Sequence, residues 1–147
     1  MLQYENNGFL VENAVKSIFK VRYAETDQMK NVYYGRYFEW FEVGRVDWIK
    51  SKGLTYKALE AQNCFLPVVE LKARYIGANH YDDDICVYTW LKKCNRRSVE
   101  YFHIVNNLTT NKVTTEAEVR LIAVDGSGRP TRLPENYFNL FQLAKLP

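Results

Sequence analysis

The stretch RYAETDQMKNVYYGRYFEW, residues 22–40, joins two different patterns of secondary structure. Before it, residues 14–23 are rich in β-forming Val, Ile and Tyr, which predicts a strand. From about residue 35 to residue 52, apolar side chains recur at helical spacing. A carboxylate, Asp27, therefore stands between the end of a strand and the start of a helix.

The predicted helix has a glycine in its middle. One stripe of its surface holds Tyr37, Phe41, Gly44 and Trp48. Because glycine inside a helix costs about 1 kcal/mol relative to alanine, Gly44 indicates a position where backbone packs closely on backbone. Gly53 follows the last apolar position of the pattern and is typical of a residue that ends a helix.

The remaining sequence predicts mainly strands. A short helical segment at 56–62 precedes four strand-like runs, at 66–76, 85–94, 98–108 and 113–124, and a last helix covers 135–144. This order predicts an α+β fold with a five-stranded antiparallel sheet wrapped around one long helix and an extra C-terminal helix. We expect a single domain over residues 1–147, with 1–13 as a loosely ordered lead-in. An apolar sheet edge predicts a homo-oligomer.

Composition excludes several classes of function. The net charge is only +3 and Lys and Arg are scattered, which suits a small anionic ligand better than a long nucleic acid. The three cysteines have no metal-ligand spacing, and without a secretory leader they predict reduced thiols in the cytoplasm. No apolar run approaches the length of a membrane-spanning helix. We therefore expect no nucleic-acid or membrane partner.

Asp27 is the first candidate for chemistry. The first amides of a helix are unpaired donors at a partly positive pole. Such donors can hold a carbonyl oxygen while a nearby carboxylate attacks the carbon or activates water. The alternative is that Asp27 only caps a turn. Glu42 on the helix faces either the same pocket or solvent, and Glu25 is expected to be an exposed polar residue.

Two polar turns are weaker candidates. The turn Arg96-Arg97-Ser98 either holds phosphates or presents hairpin charge to solvent. The run HYDDD, residues 80–84, favours a polar turn over a metal site, because successive side chains point apart. His103 alternates with apolar residues, which predicts a hydrogen-bonded histidine in the interior or at an interface.

The stretch YAETDQMKNVYYGRYFEWFEVGR, residues 23–45, resembles the signature of the hotdog-fold acyl-CoA thioesterases, in the 4-hydroxybenzoyl-CoA thioesterase-like branch. The positions in register are Tyr23, Asp27, Val32, Tyr34, Tyr37, Phe41, Glu42 and Arg45. Turns at 78–83 and 95–99 and a proline-led ending extend the resemblance over about residues 16–143. The predicted order of elements is also the order of the hotdog fold.

The resemblance implies an enzyme that hydrolyses an acyl-CoA to a free acid and CoA. Asp27 matches the family's catalytic carboxylate, as nucleophile or general base, and Tyr34 matches the residue whose backbone N–H polarises the thioester carbonyl. Further site residues implied less strongly are Glu42 for catalysis and Tyr37, Arg96, Arg97 and Ser98 for substrate binding. The family's active site lies between two subunits, which implies a homodimer or a homotetramer built as a dimer of dimers.

The resemblance implies neither a metal nor any other cofactor. Two other readings stay open: a thioesterase acting on acyl groups carried by acyl carrier protein, and an acyl-CoA-binding module without catalysis. The sequence also departs from the signature at three positions near Asp27, one of which is Tyr34, where many relatives carry His and the hydroxybenzoyl-type enzymes carry Tyr. Lys30 replaces the usual Gly, and Arg36 stands just before Tyr37 where the usual Asn is missing. Both changes add positive charge near the carboxylate.

Overall fold

The computed structural model describes residues 13–145. Its strands are β1 (Val15–Lys20), β2 (Val68–Tyr75), β3 (Asp84–Cys94), β4 (Ser98–Asn107) and β5 (Lys112–Ile122). Its helices are α1 (Arg36–Ser51), α2 (Tyr56–Ala61) and α3 (Glu135–Ala144), and a 3-10 turn covers Tyr23–Glu25. The lead-in predicted for residues 1–13 lies outside the described residues, apart from Asn13.

The strands form one antiparallel sheet that wraps around α1. Its order is β1-β3-β4-β5-β2, so that β1 and β2 are the edge strands. α1 packs against β1, β3 and β4. The prediction of a five-stranded antiparallel sheet around one long helix is therefore confirmed. β1 ends at Lys20 rather than at the predicted residue 23, because the chain turns into the 3-10 turn there.

The core lies between α1 and the inner face of the sheet, and α3 closes one end of it. Its largest fully buried apolar side chains are Trp48, Phe41, Ile49, Leu59, Ile85, Leu91, Tyr101, Tyr137 and Phe141. Full burial of an aliphatic or aromatic side chain contributes about 1.5–3 kcal/mol. The aromatic content of the sequence therefore supplies much of the core, and α1 is held in a fixed position on the sheet.

Gly44 marks a close approach of α1 to the sheet. A Cβ atom on this residue would overlap Thr89 Oγ1 and would lie 3.3 Å from His103 Nδ1. The predicted close packing at Gly44 is confirmed, but the neighbours are side chains of β3 and β4 rather than backbone. Thr89 and His103 share a buried hydrogen bond of 3.0 Å, as expected for an interior histidine. Gly53 follows α1 with a φ of 81°, as predicted for a C-terminal glycine.

Candidate active site

Asp27 lies at the tip of a short hairpin that connects the 3-10 turn to α1. Thr26 and Val32 form an isolated antiparallel bridge. The backbone N–H of Tyr33 donates to Glu25 O at 2.9 Å, and the N–H of Asp27 donates to Asn31 O at 2.8 Å. These bonds fix the backbone on both sides of Asp27. The carboxylate is therefore presented by a hydrogen-bonded turn rather than by a loose loop.

The two carboxylate oxygens of Asp27 have different surroundings. Oδ1 accepts the backbone N–H of Met29 at 2.9 Å and that of Asn31 at 3.3 Å. No hydrogen bond within residues 13–145 uses Oδ2, and the side chain is exposed. Asp27 is thus the turn cap that the sequence offered as the alternative, and its second oxygen remains available for chemistry. The two roles are compatible because each uses a different oxygen.

The backbone conformation of Lys30 explains why the signature usually has a glycine at this position. Its φ is 65°, in the left-handed region. A residue with a side chain pays a steric penalty there that glycine does not. The N–H of Lys30 donates to Asp27 O at 2.9 Å, so the strained residue closes the turn below the carboxylate. The side chain is exposed, and it makes no ion pair within the described part of the chain.

Lys30→Gly should therefore stabilise the protein. We expect the free energy of unfolding to rise by about 0.5–1 kcal/mol, because the left-handed strain is larger than the extra backbone entropy of glycine. Lys30→Ala is the matched control, since it removes the same charge and keeps the strain. Urea unfolding of the three proteins measures the difference. Equal stability of the glycine and alanine variants would contradict the assignment of strain to Lys30.

The N-terminal end of α1 supplies donors close behind the hairpin. Gly35 is the N-cap residue and Arg36 begins the helix. Among the described residues, no acceptor binds the backbone N–H of Tyr34 or of Gly35. The carbonyl of Tyr34 is fixed instead by the phenol of Tyr75, which donates at 2.8 Å. Two unpaired amides thus lie at the positive pole of α1, where an oxyanion would be stabilised.

Glu25 is buried, which corrects the expectation of an exposed polar residue. It is 3% exposed, and its carboxylate accepts the N–H of Arg22 at 3.0 Å, Arg22 Nε at 3.0 Å and Arg22 Nη2 at 2.9 Å. It also accepts Trp40 Nε1 at 3.2 Å. This side chain therefore ties the start of the hairpin to the second turn of α1. Its sequence context gave no signal of burial, because Trp40 follows many residues later.

Tyr37 is also buried, and its predicted contact with substrate stays a prediction. Its side chain is 3% exposed, and its hydroxyl accepts Asn79 Nδ2 at 2.9 Å. Burial raises the pKa of Tyr37, so the phenol stays protonated. Asn79, which the sequence marked only as a turn residue, also accepts the N–H of Val32 at its backbone oxygen at 2.9 Å. Tyr37 and Asn79 therefore position the hairpin from within the fold.

Glu42 lies on the exposed side of α1, two turns beyond its start. Its carboxylate interacts electrostatically with Arg45 on α1 and with Tyr56 on α2. Within residues 13–145, no hydrogen bond or ion pair joins Glu42 to the hairpin of Asp27. Its catalytic role stays a prediction, and the protomer by itself does not bring the two carboxylates together.

The turn Arg96-Arg97-Ser98 lies at the opposite end of β3 from the hairpin of Asp27. β3 has 11 residues, a length of about 35 Å, and its first residues adjoin that hairpin through His80 and Asn31. The resemblance assigns Asp27 and this turn to one active site, but within one protomer the two lie at opposite ends of β3. The reason is topological, since the turn joins the far ends of β3 and β4.

The two arginines of this turn differ in whether other side chains hold their guanidinium groups. Arg96 Nη1 donates to Glu135 Oε1 at 2.6 Å, and the guanidinium lies 4.2 Å from the ring centroid of Phe138. Arg96 therefore holds α3 in place. Arg97 is exposed and makes no ion pair among residues 13–145. The N–H groups of Arg97 and Ser98 both donate to Asn95 Oδ1 at 2.8 Å, which fixes the turn that presents Arg97.

The positive charge of Arg36 beside the hairpin is compensated. Arg36 Nη1 donates to Glu39 Oε1 at 2.9 Å, and Nη2 donates to Ala24 O at 3.4 Å.

The run HYDDD forms a polar turn, in which Asp83 Oδ2 accepts the N–H of His80 at 2.8 Å. Residues 13–145 contain no cluster of three or more potential metal ligands. No helix among them is long and apolar enough to span a membrane.

Comparison with known proteins places this geometry in context. The family model of the Thioesterase-like superfamily matches residues 21–142. Over 92 residues, 62% of this chain and 67% of the relative, the sequence is 40% identical to "Putative acyl-CoA thioesterase YneP" of Bacillus subtilis (strain 168). The matched region includes the hairpin of Asp27 and the whole of α1.

Solved structures share the fold over most of the chain. DHNA-CoA thioesterase from Staphylococcus aureus has a TM-score of 0.81 at 32% identity, covering 89% of this chain and 87% of that one. A mutant of 4-hydroxybenzoyl-CoA thioesterase complexed with 4-hydroxybenzoyl-CoA has a TM-score of 0.78 at 18% identity, covering 87% of this chain and 98% of that one. At 18% identity the likeness concerns the fold alone.

Proposed function

The chain belongs to the Thioesterase-like superfamily and has the hotdog fold, and from this premise we propose that it hydrolyses acyl-CoA thioesters to a free carboxylic acid and CoA. The observation that carries the proposal is that the hairpin presents a carboxylate while the adjoining start of α1 presents unpaired amides. The hairpin presents Asp27 with Oδ2 unengaged, and α1 begins just behind it with unpaired amides at Tyr34 and Gly35.

In the reaction, the N–H of Tyr34 donates to the thioester oxygen and polarises the carbonyl. Asp27 Oδ2 then either attacks the carbonyl carbon or takes a proton from an attacking water. Attack by Asp27 expels the CoA thiolate and leaves an acyl-aspartyl anhydride, which water hydrolyses. Attack by water gives the acid and the thiolate directly. In both routes the negative charge that develops on oxygen is stabilised by the amide at the helix start.

The site is completed by a second copy of the chain. The edge strand β2 presents exposed apolar side chains, of which Val68 is 45% and Val69 50% exposed. Tyr34 is 60% exposed beside the site, where an acyl group needs apolar contact. We infer a homodimer, or a homotetramer of two such dimers, in which the Arg97 turn of a neighbouring copy holds the CoA phosphates. This arrangement accounts for the distance between Asp27 and Arg97 within one protomer.

Thiol release from a panel of acyl-CoAs, short-chain, long-chain and aromatic, tests the proposal. We expect turnover of at least one ester. The ester that is hydrolysed fastest shows which kind of acyl group the site accepts. Binding of acyl-CoA without turnover would contradict the proposal and favour a binding module. Turnover of the acyl group only when it is attached to acyl carrier protein, and not to CoA, would show that the carrier protein is the substrate's carrier. The single domain over residues 1–147 and the cytoplasmic location remain predictions.

A further inference from the structure

The phenol of Tyr75 connects the edge of the sheet to the start of α1. Its hydroxyl donates to the backbone oxygen of Tyr34 at 2.8 Å. Tyr75 is the last residue of β2, and Tyr34 lies directly before Gly35, the N-cap residue of α1. This hydrogen bond therefore holds the peptide unit between Tyr34 and Gly35 from outside the helix.

The same hydrogen bond sets the direction of the N–H of Gly35. Because a peptide unit is planar and trans, the C=O of Tyr34 and the N–H of Gly35 lie in one plane and point in opposite directions. Gly35 has helical backbone angles, with φ −71° and ψ −21°. Its N–H therefore points out of the N-terminal end of α1, as the first amides of a helix do.

The neighbouring N–H of Tyr34 is oriented by the backbone instead. It belongs to the preceding peptide unit, whose carbonyl oxygen on Tyr33 accepts the N–H of Arg36 at 2.9 Å. Within residues 13–145, neither the N–H of Tyr34 nor that of Gly35 has an acceptor. Two adjacent donors thus remain available, and a side chain from β2 orients the second of them.

Tyr75 is itself held firmly. Its ring packs edge-on against Tyr37, which is buried in the first turn of α1, with the ring centroids 5.0 Å apart. The backbone after Tyr75 is bound to β5, because the N–H of Ile76 donates to Thr114 O at 2.7 Å. Burial raises the pKa of Tyr75, so the phenol keeps the proton that it donates. A hydrogen bond to a carbonyl also polarises the peptide unit and strengthens its N–H as a donor.

We propose that Tyr75 is a positioning residue that directs the N–H of Gly35 at the thioester oxygen, as a second donor beside the N–H of Tyr34. The inference rests on the proposed hydrolysis of a thioester, and Tyr75 acts in that reaction through the amide of Gly35. Loss of one oxyanion donor lowers kcat by about 10²–10³-fold in other enzymes. The second donor therefore contributes to stabilising the oxyanion rather than to binding the substrate.

Gly35→Pro removes the second donor directly. Its φ of −71° lies in the range that proline adopts, and proline has no N–H. Gly35→Ala is the matched control, because it also adds a Cβ and keeps the N–H. That Cβ would lie 3.0 Å from the ring of Tyr33, whose side chain is exposed and can shift. In thiol release we expect the kcat of Gly35→Pro to be about a hundredfold below that of Gly35→Ala.

Tyr75→Phe removes the hydroxyl and keeps the ring against Tyr37. Its kcat should fall by about tenfold, with KM little changed, because the donor is present but no longer held. Tyr81→Phe, at another exposed tyrosine, is the control and should leave kcat unchanged. In the Gly35→Pro background, Tyr75→Phe should have no further effect, since the amide through which Tyr75 acts is missing. An equal loss in both backgrounds would show a structural role and overturn the proposal.

Carbonyl NMR tests the hydrogen bond without substrate. The backbone carbonyl ¹³C resonance of Tyr34 should move upfield in Tyr75→Phe and stay in place in Tyr81→Phe, and an unchanged resonance in Tyr75→Phe would overturn the proposal. A wild-type protein that hydrolyses no ester would overturn the proposed function and this inference with it. An active wild type with an unchanged kcat in Tyr75→Phe would overturn only the role of Tyr75.

Discussion

Asp27→Asn should lower kcat by about two to four orders of magnitude, the range expected when a general base or nucleophile is lost. The amide neither attacks a thioester nor takes a proton from water. The substitution is well matched to the structure, because Asn retains an oxygen in place of Oδ1. That oxygen can still accept the N–H groups of Met29 and Asn31, so the turn is preserved. The loss should therefore appear in kcat, with KM changed much less.

Thiol release on the best acyl-CoA measures the effect, and urea unfolding checks that the variant is as stable as the wild type. Glu60→Gln, an exposed carboxylate on α2, is the control for loss of a negative charge. Activity of the Asp27 variant within tenfold of the wild type would show that this carboxylate is not the catalytic group. The turn cap would then be the whole function of Asp27.

The local patterns of the sequence predicted the elements well. The helix proposed over about 35–52 is Arg36–Ser51, and the last helix ends and begins as predicted at 135–144. These elements follow from periodicity and from residues such as Gly53, which act through their immediate neighbours. The prediction for Gly44 is only partly confirmed. The close approach of α1 to the sheet could be predicted from the sequence, whereas the residues that Gly44 contacts could not.

Features that depend on distant parts of the chain were predicted poorly. Glu25 is buried because Arg22 and Trp40 donate to it, and Tyr37 is buried because Asn79 reaches its hydroxyl. A sequence motif shows which residue types occur, but not which of them face inward at the junction of a hairpin and a helix. The turn at Arg97 shows the same limit, since a resemblance that assigns Asp27 and Arg97 to one active site does not show that they lie at opposite ends of β3 within one protomer.

The burial of Glu25 implies that the geometry of the site depends on a residue that does not touch substrate. Its backbone oxygen holds the N–H of Tyr33, directly before the amide proposed to bind the oxyanion. Its side chain is fixed by Trp40 on α1 and by Arg22. The hairpin that presents Asp27 and the helix start at Tyr34 are thus joined through one carboxylate. Glu25 is a positioning residue in this arrangement.

Glu25→Gln should therefore lower both stability and activity. The amide group meets donors on Arg22 and Trp40 and leaves at least one of them unpaired, at a cost of about 2–3 kcal/mol. We expect kcat to fall by about tenfold through displacement of the hairpin. Trp40→Phe is the matched variant, because it removes only the 3.2 Å bond from Nε1 and keeps an aromatic ring in the core. Its stability should fall by about 1 kcal/mol.

A double-mutant cycle of these two substitutions, followed by urea unfolding, measures the coupling of hairpin and helix. Hydrogen exchange at the amides of Asp27 and Tyr33 distinguishes positioning from general stability, since both amides are bonded across the hairpin. Faster exchange at these amides in Glu25→Gln, with protection in β3 and β4 unchanged, is the expected result. Additive effects of the two substitutions, or exchange that rises equally throughout the sheet, would show that Glu25 stabilises the fold without setting the geometry of the site.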